Sequence, residues 1–220
     1  MKIACMQPYF LPYAGYFRLL RGTDLLVVLD DVQFPRRGWV HRNRLSRAGG
    51  DPGWLTLPLR KAPRAARIRE LAFHENAAGY WATRLRAFPA CTRPGADTGE
   101  LVDTLSILDG DVVDYLLRVL DTTVRVLGME TAPMIRESSL GLPPASAPAE
   151  RILALCRRLG AETYLNAPGG RRLYDGRAFA EHGVRLEFLP PWQGNDASIL
   201  QRLHDSSAVA VLREIHRNMS

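Results

Sequence analysis

The apolar positions of this chain follow two rhythms. Lys2–Gln7 and Leu25–Leu29 are short apolar runs, the first ended by Pro8 and the second bounded by Asp24 and Asp30. Runs of that length predict strands buried on both faces, as in a parallel sheet. Between them, Leu11–Arg21 carries Pro12 where a first helical turn tolerates it. Tyr16, Phe17, Leu19 and Leu20 follow at helical spacing, and Gly22 breaks the run. Strand, helix, strand predicts a compact βαβ unit, with its loop at the carboxyl end of the first strand.

The alternation continues along the chain. Trp54–Leu59 predicts a strand and Gly79–Phe88 a helix. Asp111–Leu127 is the clearest amphipathic helix, with Val112, Leu116, Val119 and Leu120 among its apolar positions and Gly128 at its end. Met134–Ser138, Thr163–Leu165 and Val184–Leu189 predict strands. Pro148–Leu159 and Leu173–His182 predict helices closed by Gly160 and Gly183, and Ile199–His216 is helical in parts. The Pro/Ala/Ser-rich 142–148 stretch predicts a hinge inside a single domain spanning 1–220. The expected fold is α/β, a mostly parallel sheet flanked by helices, Rossmann-like in plan.

Composition narrows the class. Hydrophobic residues make up 46% and charged residues 24%, which excludes a disordered or collagen-like chain. No apolar run approaches the roughly 20 residues that span a bilayer, and no signal-peptide pattern opens the chain. Cys5, Cys91 and Cys156 are an odd set without CxxC spacing. The expectation is a cytoplasmic protein with no disulfide framework, no metal and no cofactor. The net charge is +6, and it is concentrated: between Arg36 and Arg69 stand ten Lys or Arg and one Asp. A patch confined to one segment suits a single small anionic substrate better than a nucleic-acid track.

Three segments carry candidate chemistry. In the first, Gln7 to Phe17, five aromatic residues crowd around Gly15 just past a strand end. Ligands of α/β sheets sit outside strand carboxyl ends. Gln7 offers amide donors and an acceptor there, Gly15 allows close approach, and Tyr13 or Tyr16 can stack on a ligand. An aromatic mini-core fits the same spacing. The second segment, Asp30 to Arg44, holds Asp31 and Gln33 beside the first loop, then His41 among arginines. Basic neighbours favour the neutral imidazole that a general base needs. On a strand, Arg42 and Arg44 share one face and Asn43 takes the other. The third segment, Tyr164 to Tyr174, ends a strand in Asn166 and turns through Gly169 and Gly170 into Arg171, an anion-binding pattern that matches neither a P-loop nor a GxGxxG fingerprint.

These segments resemble the WbqC-like family. Gln7-Pro8 through Gly15-Tyr16-Phe17 is similar to its first block. Asp30-Asp31-Val32-Gln33-Phe34 with Gly38-Trp39 and Arg42-Asn43-Arg44 is similar to its second, and Tyr164-Leu165 through Gly169-Gly170 to its third. The resemblance spans nearly the whole chain. It implies an enzyme of a bacterial cell-surface polysaccharide or secondary-metabolite pathway. It also implies an amide more often than His at position 41, which leaves Asp31 as the other base. The loop after the first strand further resembles that of nucleotidyl-transferases and related ligases in architecture.

The expectation is transfer of an activated acyl or aminoacyl group to an amine. His41, Asp31 and Gln7 are the catalytic candidates. Tyr13, Gly15, Tyr16, Gln33, Arg42, Asn43, Arg44, Tyr164, Asn166, Gly169, Gly170 and Arg171 are the substrate-binding ones. The anionic donor would be linked to a carrier protein or a nucleotide. An ATP-dependent ligase or nucleotidyl-transferase, and a non-catalytic RNA- or carrier-protein-binding module, are the alternatives.

Overall fold

A computed structural model describes residues 1–143 and 147–219. Its centre is a five-stranded parallel sheet formed by β1 (Lys2–Met6), β2 (Leu25–Val28), β5 (Met134–Arg136), β6 (Thr163–Asn166) and β7 (Arg185–Phe188), in the order β5-β2-β1-β6-β7. A separate antiparallel ribbon pairs β3 (Arg42–Ser46) with β4 (Pro52–Thr56). The helices are α1 (Phe17–Arg21), α2 (Ala77–Leu85), α3 (Pro89–Thr92), α4 (Gly99–Ser106), α5 (Val112–Val126), α6 (Pro148–Leu159), α7 (Gly176–Ala180), α8 (Ile199–Asp205) and α9 (Ala208–Arg217).

The twofold period of the strands sorts side chains between two helical layers. Ala4, Leu26 and Val28 join the larger core with α5, α8 and α9. Ile3, Cys5 and Val27 join the smaller one, under Ile152 and Cys156 of α6 and Phe179 of α7. Both faces of the sheet are therefore covered, as its apolar runs require. Cys5, Cys91 and Cys156 are all buried free thiols, Cys91 in the larger core and the other two in the smaller. Among the described residues, no helix is long and apolar enough to cross a membrane.

Three elements depart from the sequence expectation. The expected helix from Leu11 begins only with a 3₁₀ turn at Ala14–Tyr16, followed by α1. Leu11 itself sits at φ 49, a left-handed conformation that costs a bulky residue and interrupts a right-handed helix. The strand expected over Trp54–Leu59 ends at Thr56 and starts at Pro52. The helix expected over Leu173–His182 shrinks to the short α7, with a 3₁₀ turn at Pro168–Arg172 just ahead of the expected start. Asp175 breaks the two apart: its side chain accepts from the Arg177 amide and starts a new cap. The expected hinge at 142–148 falls partly on 144–146, outside the described residues.

Candidate functional site

The sheet reverses direction at β1: the chain moves outward through β2 and β5, then crosses back to β6 and β7. Strand ends beside such a reversal leave a crevice, because the crossovers depart to opposite sides. A cavity of about 610 Å³ opens there, lined by Gln7, Leu29, Val32, Gln33, Ala147, Pro148, Arg151, Ile152 and Tyr174. Gln7 follows β1, and Leu29 follows β2. Arg151 and Ile152 come from the first turns of α6, and Tyr174 comes from the third sequence segment. Gln33 donates its amide to the Arg64 carbonyl at 2.8 Å, which fixes its rotamer at the rim.

An ionic network lies beside this cavity. Asp30 has no exposed surface. Its carboxylate accepts from Arg136 Nε at 2.8 Å, from the Ser138 amide at 2.9 Å and from Ser138 Oγ at 2.6 Å. Asp31 is gripped by Arg67 Nη1, 2.7 Å from both carboxylate oxygens, and by Arg69 Nε at 2.6 Å. Arg151 pairs with Glu137, whose other carboxylate oxygen is buried with no hydrogen-bond partner among the described residues. Burial pushes the Glu137 carboxyl up, and Arg151 opposes that shift.

The structure gathers only some of the expected site residues. Gln7 and Gln33 share the strand-end cavity. Asp31 anchors two arginines, and both of its oxygens are engaged by them. His41 lines a different cavity, of about 350 Å³, with its ring edge-on to Phe34 at 4.9 Å. Its pKa is lowered to about 4, first by burial and then by Arg42, so the imidazole is neutral for a reason that the charge pattern only partly foresaw.

Arg42 and Arg44 do share the outer face of the ribbon, where their guanidinium groups lie 4.2 and 5.6 Å from the exposed Trp54 ring. Asn43 points inward as expected, but its amide is spent on the protein. It donates to the carbonyls of Phe10 and Leu11, and its oxygen accepts from the Arg44 amide at 2.7 Å. A buried, saturated amide holds a loop and not a substrate.

The aromatic block is largely core, the plainer of the two readings its spacing allowed. Tyr16 is buried and donates to the Gln7 carbonyl at 3.3 Å. Tyr13 packs edge-on against Trp192 at 5.9 Å. A Cβ on Gly15 would stand 2.3 Å from the Tyr13 ring and 2.8 Å from Trp192, so this glycine lets two aromatic rings close over it. Tyr164 stacks on Phe179 at 5.7 Å in the smaller core. Asn166 is buried, and its Nδ2 would lie 2.1 Å from a Cβ on Gly170, which therefore serves packing. Gly169 and Arg171 are exposed, with Arg171 lying over Phe188 at 4.7 Å.

Arg151 and Tyr174 line the cavity without having been singled out. Arg151 reads in sequence as an ordinary polar position of an amphipathic helix, and only the tertiary docking of α6 onto the strand ends turns it inward. Tyr174 closes a segment that was noticed for its glycines.

The sequence profile of the WbqC-like protein family matches residues 7–194, which include all three segments. The uncharacterised protein Rv1507c of Mycobacterium tuberculosis is 28% identical over 196 residues, covering 86% of this chain and 81% of that protein. No solved structure matches the chain.

Proposed function

The chain belongs to the WbqC-like family, and on that premise we propose that it is a biosynthetic enzyme that moves an activated acyl or aminoacyl group onto an amine in the strand-end cavity. The observation that carries this reading is the meeting of Gln7, Gln33, Arg151 and Tyr174, from three separate segments and α6, around one space of about 610 Å³. That volume is ordinary for a small-molecule site. The Arg151 guanidinium suits the carboxylate or phosphate of an anionic substrate, and its pairing with Glu137 holds it in place. The Gln7 amide can accept from the attacking amine or donate to the acyl carbonyl. In the transfer, the amine nitrogen bonds to the acyl carbon while the bond to the leaving thiolate or phosphate breaks. The amine proton departs with the leaving group or to water.

A second reading, an ATP-dependent ligase or nucleotidyl-transferase, draws on the strand order β5-β2-β1-β6-β7. Renumbered along the chain, that order follows the first five strands of the doubly wound nucleotide-binding plan.

A thermal-shift panel of acyl-pantetheine thioesters, which carry no diphosphate, amino acids, and nucleotides with and without Mg²⁺ tests both. The transfer reading expects a thioester or acyl donor to raise Tm in the wild type. It also expects Gln7→Ala to abolish that rise while the unliganded stability moves by under about 0.5 kcal/mol. A rise that needs ATP and Mg²⁺ favours the ligase. A thioester-induced rise that survives Gln7→Ala removes this cavity as the site, and a panel with no effect overturns both readings.

A further inference from the structure

The second cavity carries more positive charge than the first. Arg36 enters it from the loop before β3, Arg60 and Lys61 from the strap after β4, and Arg84 from α2, with His41 at its wall. Two of the arginines are oriented without being neutralised. Arg36 Nη2 donates to the Ala62 carbonyl at 2.6 Å, and Arg84 Nη1 donates to the Thr56 carbonyl at 2.6 Å. Arg60 alone meets an acid, Glu75 at 3.4 Å, and both of those side chains are exposed. Among the described residues, no carboxylate lies within 4 Å of Arg36, Lys61 or Arg84.

The frame around these cations is fixed. The strap is tied on both sides: the Leu57 amide to the His41 carbonyl, the Arg60 amide to the Ala72 carbonyl and the His74 amide to the Pro58 carbonyl, each at 2.8 Å. The remaining walls are apolar, formed by Phe34, Leu57 and Leu59. His41 Nδ1 is buried within the wall, away from the open space, and finds no hydrogen-bond partner among the described residues.

Four cations stand around about 350 Å³ against the one carboxylate of Glu75, and the three left without an acid repel one another unless a ligand of several negative charges joins them. A ligand with one carboxylate is too little charge for the three unpaired cations. A diphosphate offers more charge and oxygens on every side for forked guanidinium contacts. The apolar wall provides for the organic part of such a ligand. We propose that this cavity is a second binding site, separate from the strand-end cavity, for the diphosphate group of a small phosphorylated ester. His41 forms part of its wall. The proposal does not rest on the transfer reading. Diphosphate esters include nucleoside diphosphates and the pyrophosphate arm of coenzyme A, and the site's chemistry is common to both.

Calorimetric titration of the full chain tests it, with inorganic phosphate, inorganic diphosphate, a nucleoside diphosphate and coenzyme A as separate probes. Inorganic diphosphate should bind at least tenfold more tightly than phosphate. Tighter binding of one ester than the other identifies the source of the diphosphate. Arg60 and Lys61 are both exposed, so the double variant Arg60→Ala/Lys61→Ala should fold normally and bind diphosphate at least tenfold more weakly. Arg213→Ala, which removes a charge from the exposed face of α9, should stay within twofold of the wild type, as should Gln7→Ala. The proposal is overturned if diphosphate shows no saturable binding at millimolar concentration, or if the double variant binds as the wild type does. It is also overturned if Arg213→Ala loses as much, which would make the effect general charge. Random single-stranded RNA that binds with a steep salt dependence and is not displaced by diphosphate would overturn it in favour of a nucleic-acid surface.

Discussion

A single ring in this protein has been made unable to hold a proton at neutral pH. His41 is half-buried beside Phe34 and next to Arg42, and its pKa falls from 6.5 to about 4. The fold thus favours the neutral imidazole, so the sign of the pH dependence follows. Above pH 6.5 the ring is neutral in both folded and unfolded chains and contributes no difference. Between pH 6.5 and about 4 the unfolded chain takes up a proton that the folded one refuses, and stability declines as the pH drops. After allowance for solvent screening at the open edge of the ring, the loss should be of the order of 2 kcal/mol. His41→Gln has nothing to titrate, so urea midpoints at pH 7 and pH 4.5 should differ less in the variant than in the wild type. Parallel curves would refute this account. Asp30 is fixed by hydrogen bonds instead: three, from Arg136 and Ser138, join the end of β2 to β5 and the turn behind it.

At the scale of elements, the first loop owes its shape to partners far away in sequence. The Leu11 carbonyl accepts from Asn43 of β3 and from Ser198 Oγ, and the Pro12 carbonyl accepts from the Ile199 amide at 2.7 Å. Arg18, only 1% exposed, reaches across to the carbonyls of Pro190 and Asn218. The left-handed Leu11 survives because these bonds over-determine it. Asn43→Ala strands the Phe10 carbonyl and leaves the Leu11 carbonyl to Ser198 alone, and should cost about 1–3 kcal/mol in urea denaturation. A loss under about 0.5 kcal/mol would show that the loop holds itself. These dependences also explain what could be read from sequence. The parallel strands were legible because burial on both faces leaves a continuous apolar run, as in Leu26–Val28. The start of the first helix was not legible, because the residue that undoes it, Asn43, lies 32 positions away. The helix α4 also escaped notice. Its two buried residues, Leu101 and Leu105, are too few to stand out from the polar segment around them.

For the whole molecule, charge and shape divide the labour differently from the motif pattern. The sequence concentrates Gln7, Gln33, His41, Arg42 and Arg44 into two neighbouring blocks, and the fold then parts them. The loop through Val32–Phe34 is a wall, with Gln33 lining one cavity and Phe34 the other. Residue types and local density were visible in one dimension, but which side of a wall each residue faces was not. Arg84 shows the same limit, since it lies outside the basic stretch from Arg36 to Arg69 and joins it only through the docking of α2.

The three buried thiols give the molecule a built-in pair of clocks. Burial raises the pKa of Cys5 and holds the Cys91 and Cys156 thiols at about 12 and 11, so none reacts until its surroundings open. Cys5 and Cys156 time the opening of the layer under α6, and Cys91 times the other face of the sheet. Alkylation followed by peptide mass spectrometry, in native buffer with limiting urea, should label all three at one rate if the sheet binds its two layers into one cooperative unit. A faster pair at Cys5 and Cys156 would mean that the layer carrying Arg151 breathes on its own. The roof of the strand-end cavity would then lift without the protein unfolding, and a substrate would have a way in.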